Sequence, residues 1–574
     1  ISKTKNPLHM INQRFKHFIK KFKFYIIINV LILILIISSL QQLSAKPKQF
    51  ELIKLNNLIT NNYEPKITLP LSLRFHAHDT VNIKDKNNKD TFLGEYFQRA
   101  PELNYNSKKV SVLNKNNLEK QYLRLNPNIM TNISENHIRI IEDIQSKKIF
   151  DQSNFVDKYK GSGIVFVGGG EHSAMVYAII KVIRNLTPNL PIEVLIPDML
   201  LLESDNNFCS MIEDMNAKCI FLKDYFDQQF YMYKSYQFKS LALLLSSFEN
   251  VLLLDADNYP LVNLDNIFEH KEFVDNGMIV WPDMWHRTTH PFFYESGNKK
   301  VNVENKVRSF LDSYSNTYKK KDDKVFHDYE GTLPDPASET GQLMINKNKH
   351  FKTLLLSYYY NLYGPNVYYH LLTQLGAGQG DKETFIAAAH MLNLPYYQVF
   401  TSTSLDGVFN SGKFKSTGYY QKDFRYDSLI KEKIRENTVL NDGQDSLIVN
   451  DVNKFDEVSN IPVNKLFFDS ESSNNFIMFA HINFPKYHPL TLAYHKEYYN
   501  AKGHYRALSL KKKIGFLDIE REVCNVYYDV FCKNETDPFK EIVDRERHIN
   551  KEMLCEYFQN RTEYMNSTSL LTNI

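Results

Sequence analysis

Four short apolar runs alternate with three stretches of helical periodicity between residues 164 and 254. The apolar runs occupy 164–167, 192–196, 219–222 and 251–254, and the helical stretches fall at about 172–184, 208–215 and 236–248. Apolar runs this short are typical of buried strands. An uninterrupted strand–helix alternation predicts an α/β fold with a mostly parallel sheet covered by helices on both faces.

Two acids directly follow the last apolar run, in the segment VLLLDADN at 251–258. Side chains alternate along an extended chain, so Asp255 and Asp257 are expected on one face. Two close carboxylates repel each other, and burial adds to that cost, whereas a bound Mg²⁺ or Mn²⁺ would relieve both. The pattern favours an enzyme that holds a diphosphate through a metal, with a solvated surface turn as the alternative.

Ligands of parallel sheets bind at the carboxyl ends of the strands. Gly168, Gly169 and Gly170 lie at such an end, as do the two acids. Glycines permit close backbone approach, so this segment is either a nucleotide-contacting loop or a plain tight turn. The GxGxxG, GxxxxGK[ST], GxSxG and HExxH patterns are absent from the sequence, which counts against dinucleotide, kinase-like, esterase and zincin functions.

Further candidate residues lie in the second half of the chain. A strand predicted at 476–480 ends at His481, whose imidazole could complete a metal shell, and Lys486 could meet a phosphate. A hydrogen-bonded surface histidine is the alternative. Glu339 and Asp381 are candidate acids, although Asp381 could equally serve as a helix cap.

The amino end predicts a membrane anchor. Residues 1–23 contain seven Lys or Arg and no acid, and residues 24–45 contain no charge. We therefore expect a cytosolic tail at 1–23, a transmembrane signal-anchor at 24–45, a flexible lumenal stem at 46–90 and a lumenal catalytic domain at 91–574, with a core at about 160–400 plus 476–500. A cleaved signal peptide is the alternative. The net charge of +3 is concentrated in the tail, so a nucleic-acid partner is not supported.

The cysteines and sequons agree with an oxidising lumen. Sequons begin at Asn132, Asn185, Asn534, Asn560 and Asn566. Local disulfides are predicted at Cys209–Cys219 and Cys524–Cys532, which leaves Cys555 over. Peripheral helices are predicted at 118–125 and 138–149, structure returns at 341–346, 350–362 and 376–392, and 405–475 is expected to form loops and peripheral elements.

Several segments together resemble the fungal Golgi mannosyltransferases that build α-1,2-linked branches of cell-wall mannan. They are YQFKSLA at 236–242, LLLDADNYPL at 252–261, SETGQ at 338–342, GDKETF at 380–385 and FAHIN at 479–483. The resemblance spans about 90 to 500 and includes the predicted type II anchor. It implies a GT-A-type, Rossmann-like fold in the Golgi membrane, GDP-mannose as donor, Mn²⁺ as the usual metal, a mannan or N-glycan acceptor, and complexes with other mannosyltransferases.

The resemblance also implies roles for individual residues. Asp255 and Asp257 would form the metal and diphosphate site, and Lys239 would contact the donor. His481 and Lys486 resemble a carboxyl-terminal His and Lys of related retaining transferases, with the spacing changed by one residue. Glu339 and Asp381 are candidates for acceptor contact or for a nucleophile. The alternatives are an α-1,3-mannosyltransferase, a catalytically inactive mannan-binding scaffold, or a glycosidase that uses paired carboxylates without a metal.

Overall fold

The computed structural model describes most of the chain from residue 52 onward. The described ranges are 52–65, 97–99, 113–125, 127–146, 158–197, 203–225, 233, 235–307, 325–374, 380–401, 403–410, 413–429, 477–508, 517–534, 537–546 and 548–569. The tail and anchor predicted at 1–45 lie outside these ranges. Among the described helices, none combines the length and apolarity needed to cross a bilayer.

Seven strands form the central sheet, in the order β12-β8-β11-β6-β3-β4-β5. The described strands are β1 Phe97–Arg99, β2 Leu123–Leu125, β3 Ser162–Val167, β4 Ile192–Ile196, β5 Ala217–Phe221, β6 Asn250–Leu254, β7 Asn258–Pro260, β8 Met278–Pro282, β9 Asn302–Lys306, β10 Tyr329–Glu330, β11 Ser338–Asn346, β12 Tyr397–Gln398, β13 Ser404–Asn410, β14 Lys413–Lys422, β15 Ile477–His481, β16 Tyr499–Asn500 and β17 Gly503–His504. Within the sheet only β11 runs antiparallel to its neighbours. The predicted mostly parallel sheet is confirmed.

Both faces of the sheet are covered by helices. Described helices include α1 (52–63), α2 Pro127–Gln145, α3 Glu171–Leu186, α4 Glu203–Glu213, α5 Phe238–Leu245, α6 Lys271–Asn276, α7 Pro291–Ser296, α8 Lys347–Leu362, α9 Tyr369–Thr373, α10 Thr384–Met391, α11 Pro489–Tyr494, α12 Ile519–Tyr528, α13 Lys540–Arg545 and α14 Lys551–Thr568. Along β6, Val251 and Leu253 enter one hydrophobic core, whereas Leu252 and Leu254 enter the other. Burial on both faces explains why this strand is apolar at every central position.

Two strands of a second sheet, β13 and β14, lie where we expected loops and peripheral elements. Its order is β13-β14-β15-β7, and every pairing is antiparallel. The loops expected there are replaced by strands at 404–410 and 413–422, which are defined by pairing with neighbouring strands rather than by an apolar run of their own. The sheet joins β7, which follows Asp257 directly, to β15, which ends at His481.

Two further segments differ from the sequence-based expectation. Residues 118–122 form a π-helical turn that continues into β2, so the helix expected at 118–125 was wrong at its end. Helix α1 lies within the stretch predicted to be a flexible stem. Its Leu55 and Ile59 are fully buried in the core, and the buried Asn56 accepts a hydrogen bond from the Tyr233 hydroxyl at 2.7 Å.

The disulfides are Cys209–Cys219, as predicted, and Cys532–Cys555. The expected Cys524–Cys532 pair was wrong: Cys524 is a free, buried thiol on α12. Cys555 lies on α14, which packs against α12, so a long-range contact invisible to local spacing decides the pairing.

We expect Cys555→Ser to lower the free energy of unfolding by about 3 kcal/mol, since it opens a covalent loop of 23 residues. Urea denaturation of oxidised protein measures this loss. Cys524→Ala is the matched control, and we expect it to cost less because it breaks no covalent link. An equal or larger loss in Cys524→Ala would contradict the assigned pairing.

Candidate active site

The site is built where β6 ends. The Asp255 N–H donates to the Gly341 carbonyl at 2.8 Å, which continues the β6–β11 ladder by one residue. A turn follows, and Asp257 leads into β7. The Asp257 side chain is 2% exposed, whereas that of Asp255 is 24% exposed. The two carboxylates thus stand at the carboxyl edge of the parallel strands, one buried and one open to a ligand.

His481 reaches the same point from the second sheet. Strand register pairs His481 with Asn258, the neighbour of Asp257, so the imidazole faces the aspartates. Its Nε2 lies 3.2 Å from Asp257 Oδ1. Potential ligand atoms of Asp255, Asp257 and His481 all lie within 4.8 Å of one another. The structure therefore brings together the three predicted metal ligands, although His481 follows the two aspartates by more than 200 positions in sequence.

The chemistry of this donor set fits a divalent cation. Both carboxylate oxygens of Asp257 are buried, and neither makes a hydrogen bond of good geometry to a described residue. Instead two basic groups approach them: the His481 imidazole, and Lys486 with its Nζ 2.9 Å from Oδ2. Burial opposes ionisation of Asp257, but His481 and Lys486 outweigh it and hold the pKa of that carboxyl well below its usual range. Carboxylate and imidazole ligands at such spacing suit Mn²⁺ or Mg²⁺.

Two lysines bring positive charge to the aspartates. Lys239 on α5 is buried, and its Nζ lies 2.8 Å from Asp255 and 3.0 Å from the Thr340 carbonyl. Burial lowers the pKa of Lys239, but the charges of Asp255 and Asp381 raise it by a larger amount, so the net shift of the pKa is upward. Lys486 is more than half exposed and follows the cis Phe484–Pro485 bond. The structure thus places both predicted donor-contacting lysines beside the aspartates.

Glu339 and Asp381 occupy different positions in the site. Glu339 is partly exposed at the start of β11, where its Oε1 accepts hydrogen bonds from the Thr340 and Gly341 N–H groups. Asp381 is buried, accepts from the Thr340 hydroxyl at 2.7 Å and lies 3.7 Å from Lys239 Nζ. Burial raises the pKa of Asp381 to about 6 although Lys239 opposes the shift. Its side chain thus faces the site and makes no helix-cap hydrogen bond in the described structure.

The three glycines form the turn between β3 and α3. The Gly169 N–H donates to Ser173 Oγ and the Gly170 N–H to Asp205 Oδ1, each at 3.0 Å. Both residues have positive φ, 96° and 55°, which favours glycine. A tight turn with internal partners accounts for these glycines, and contact between the Gly168–Gly170 turn and a nucleotide stays a prediction.

One contributor to the site carried no sequence signal. Tyr419 on β14 is buried, and its hydroxyl lies 2.9 Å from His481 Nδ1 and 3.2 Å from Glu339 Oε2. It falls in a stretch whose polar composition predicted loops and peripheral elements. Only the strand pairing of β14 with β15 places Tyr419 opposite His481.

A substitution at Gly341 tests how closely the His481 imidazole is packed against this position. A Cβ at this position would come within 2.6 Å of His481 Cε1 and 2.7 Å of its Nδ1. We expect Gly341→Ala to displace the His481 ring and to reduce metal affinity at least about 10-fold, as loss of ligand positioning does elsewhere. Titration of Mn²⁺ in the presence of GDP measures this. In a His481→Ala background the same change should cost little more, and additive losses would contradict the displacement.

Sequence comparisons find related proteins that cover most of the chain. Residues 161–423 match the family model described as "Mannosyltransferase putative". The chain is 38% identical over 466 residues to the alpha-1,2-mannosyltransferase MNN2 of Saccharomyces cerevisiae, covering 78% of this chain and 76% of that protein. It is 36% identical over 441 residues to the alpha-1,2-mannosyltransferase MNN24 of Candida albicans, covering 72% of this chain and 60% of that protein.

The likeness of the chain to solved structures is much weaker than its likeness to these sequence relatives. The glycosyltransferase GlyE of Streptococcus pneumoniae shares 15% identity and covers 42% of this chain and 45% of its own, with a TM-score of 0.24. A likeness at this level carries no weight for the fold or the function.

Proposed function

The chain belongs to the family of fungal α-1,2-mannosyltransferases, and from this membership we propose that it transfers mannose from GDP-mannose in α-1,2 linkage to mannan or N-glycan acceptors. The observation that supports this most is the convergence of Asp255, Asp257 and His481 with Lys239 and Lys486 at one edge of the sheet. A GT-A-type core holding Mn²⁺ or Mg²⁺ is part of the proposal.

Different residues of the site would have different roles in the departure of the diphosphate. Asp255, Asp257 and His481 would hold the cation, which when bound neutralises charge on the leaving diphosphate. Lys486 is exposed enough to meet a phosphate oxygen directly, which adds electrostatic stabilisation as GDP departs. Lys239 is buried beneath Asp255 and holds that carboxylate in place. Glu171 and His488, which approach each other at 3.4 Å beside the glycine turn, lie at the rim of this edge.

Transfer from an α-linked donor to an α-linked product retains configuration. This requires either a carboxylate nucleophile or attack by the acceptor hydroxyl on the face that GDP leaves. Of these two candidate acids, Glu339 is partly exposed, whereas Asp381 is enclosed by Thr340 and Lys239. We therefore assign acceptor contact or nucleophilic attack to Glu339, and positioning of Lys239 to Asp381.

The proposed location is the Golgi membrane. The uncharged stretch at 24–45, preceded by a basic tail, supports a single-pass type II anchor with the catalytic domain in the lumen. The Cys209–Cys219 and Cys532–Cys555 disulfides are in keeping with an oxidising lumen. Partners in this setting would be the acceptor glycan and other mannosyltransferases.

A single assay tests the function. Purified protein is incubated with GDP-mannose, Mn²⁺ and α-1,6-mannobiose, and the product linkage is determined by methylation analysis. We expect an α-1,2-linked mannose, loss of activity with EDTA and recovery on adding Mn²⁺. An α-1,3-linked product would assign the other linkage, sugar release unaffected by EDTA would indicate a glycosidase, and no transfer from GDP-mannose would contradict the proposal.

A further inference from the structure

Tyr419 lies between the imidazole of the metal site and the carboxylate of Glu339. The antiparallel register sets Tyr419 directly opposite His481, and the two rings lie 5.0 Å apart between centroids. Its hydroxyl is within hydrogen-bond distance of two groups, His481 Nδ1 at 2.9 Å and Glu339 Oε2 at 3.2 Å. One buried phenol therefore contacts both the predicted metal ligand His481 and the Glu339 carboxylate.

Proton counting fixes the direction of these hydrogen bonds once a cation is present. A cation on His481 Nε2, the nitrogen that faces Asp257, leaves the ring proton on Nδ1. Nδ1–H then donates to the Tyr419 oxygen. A phenol has one proton of its own, so the Tyr419 O–H donates to Glu339 Oε2.

Glu339 is held at both oxygens by this arrangement. Its Oε1 already accepts from the Thr340 and Gly341 N–H groups at 2.9 and 2.8 Å, within the irregular part of β11. The Tyr419 hydroxyl supplies the contact to Oε2. A carboxylate that accepts hydrogen bonds at both oxygens is held in one orientation.

We propose that Tyr419 is a positioning residue that couples the metal site to Glu339 through the hydrogen-bond chain His481 Nδ1–H, Tyr419 Oη–H and Glu339 Oε2. The proposal rests on the proposed function for the identity of the cation site. Removal of the hydroxyl deprives the imidazole of its acceptor and Glu339 Oε2 of its donor. Loss of such an outer partner typically weakens metal binding 10- to 100-fold.

The test measures Mn²⁺ affinity in the presence of GDP by electron paramagnetic resonance, for the full chain and for Tyr419→Phe. We expect Mn²⁺ affinity to fall about 10- to 100-fold in the variant. The matched control is Tyr420→Phe, which removes the neighbouring buried hydroxyl, a donor to Asp406 at 2.5 Å. We expect this control to bind Mn²⁺ as the wild type does. In a His481→Ala background, Tyr419→Phe should cause no further loss of affinity.

The outcomes separate this inference from the proposed function. Mn²⁺ binding within twofold of wild type in Tyr419→Phe, or an equal loss in Tyr420→Phe, would overturn the coupling even if mannose transfer is found. A selective loss in Tyr419→Phe supports the coupling even if the sugar transferred is not mannose. A wild-type protein that binds no Mn²⁺ overturns it outright.

Discussion

Replacement of Asp257 by Asn should abolish mannose transfer, with kcat/KM falling at least about 10³-fold. The physical reason is the loss of the buried charge that His481 and Lys486 surround and that the cation requires. Metal stabilisation of a departing phosphate is worth several kcal/mol, and each 1.4 kcal/mol is about tenfold in rate. Initial rates with GDP-mannose and saturating Mn²⁺ measure the effect.

The control for this variant is Asp275→Asn, which removes an exposed carboxylate on α6. We expect the control to retain wild-type turnover. Circular dichroism and the thermal midpoint should show that Asp257→Asn is folded, because Asn preserves the shape of the side chain. A folded Asp257→Asn variant with ordinary turnover would refute the role assigned to this carboxylate.

Replacement of Arg561 by Ala should destabilise the fold by about 3–5 kcal/mol, since it removes the nearer arginine partner of the buried Glu520 carboxylate and leaves only Arg506, at 4.0 Å, to balance its charge. Arg561 on α14 and Glu520 on α12 are both fully buried, with Nη2 3.0 Å from Oε1. Glu520 also accepts from the N–H groups of Ala507 and Leu508, so its position is fixed and it cannot move out to water. The midpoint of urea denaturation, followed by tryptophan fluorescence, measures the loss.

Arg545→Ala is the matched control for the buried pair. Arg545 lies on α13 and pairs with Glu541 one helical turn away, and its side chain is 58% exposed. An exposed pair of this kind contributes less than about 1 kcal/mol. Comparable midpoints for Arg561→Ala and Arg545→Ala would show that the α12–α14 pair does not hold the carboxyl-terminal helices in place.

Four of the seven strands of the central sheet, β3 to β6, could be predicted from their short apolar runs. Unbroken apolar runs such as that of β6 have few alternatives to a core strand, and their alternation with helices indicates parallel order. The strand β14 could not be found in this way. It carries lysines beside tyrosines and is defined by its pairing with β13 and β15 rather than by its own composition. The same holds for Cys555, whose partner Cys532 lies on another element.

In the candidate site, too, some residues could be predicted from the sequence and others could not. Asp255 and Asp257 could be predicted from their place after a buried strand, and His481 from its place at the end of another. Tyr419 could not, because nothing in its neighbourhood distinguishes it from the other tyrosines of the chain. Its contact with His481 depends on the register of two strands that are far apart in sequence. Gly341 is similar, since its role is the space it leaves for the imidazole.

The most direct test of the metal site is a calorimetric titration of the metal-free protein with Mn²⁺ in the presence of GDP. We expect the wild-type protein to bind one Mn²⁺ per chain. We expect the single variants Asp255→Asn, Asp257→Asn and His481→Ala to remain folded and each to lose most of the wild-type affinity for Mn²⁺. Binding of Mn²⁺ with wild-type affinity by all three folded variants would contradict the assignment of the cation to these residues.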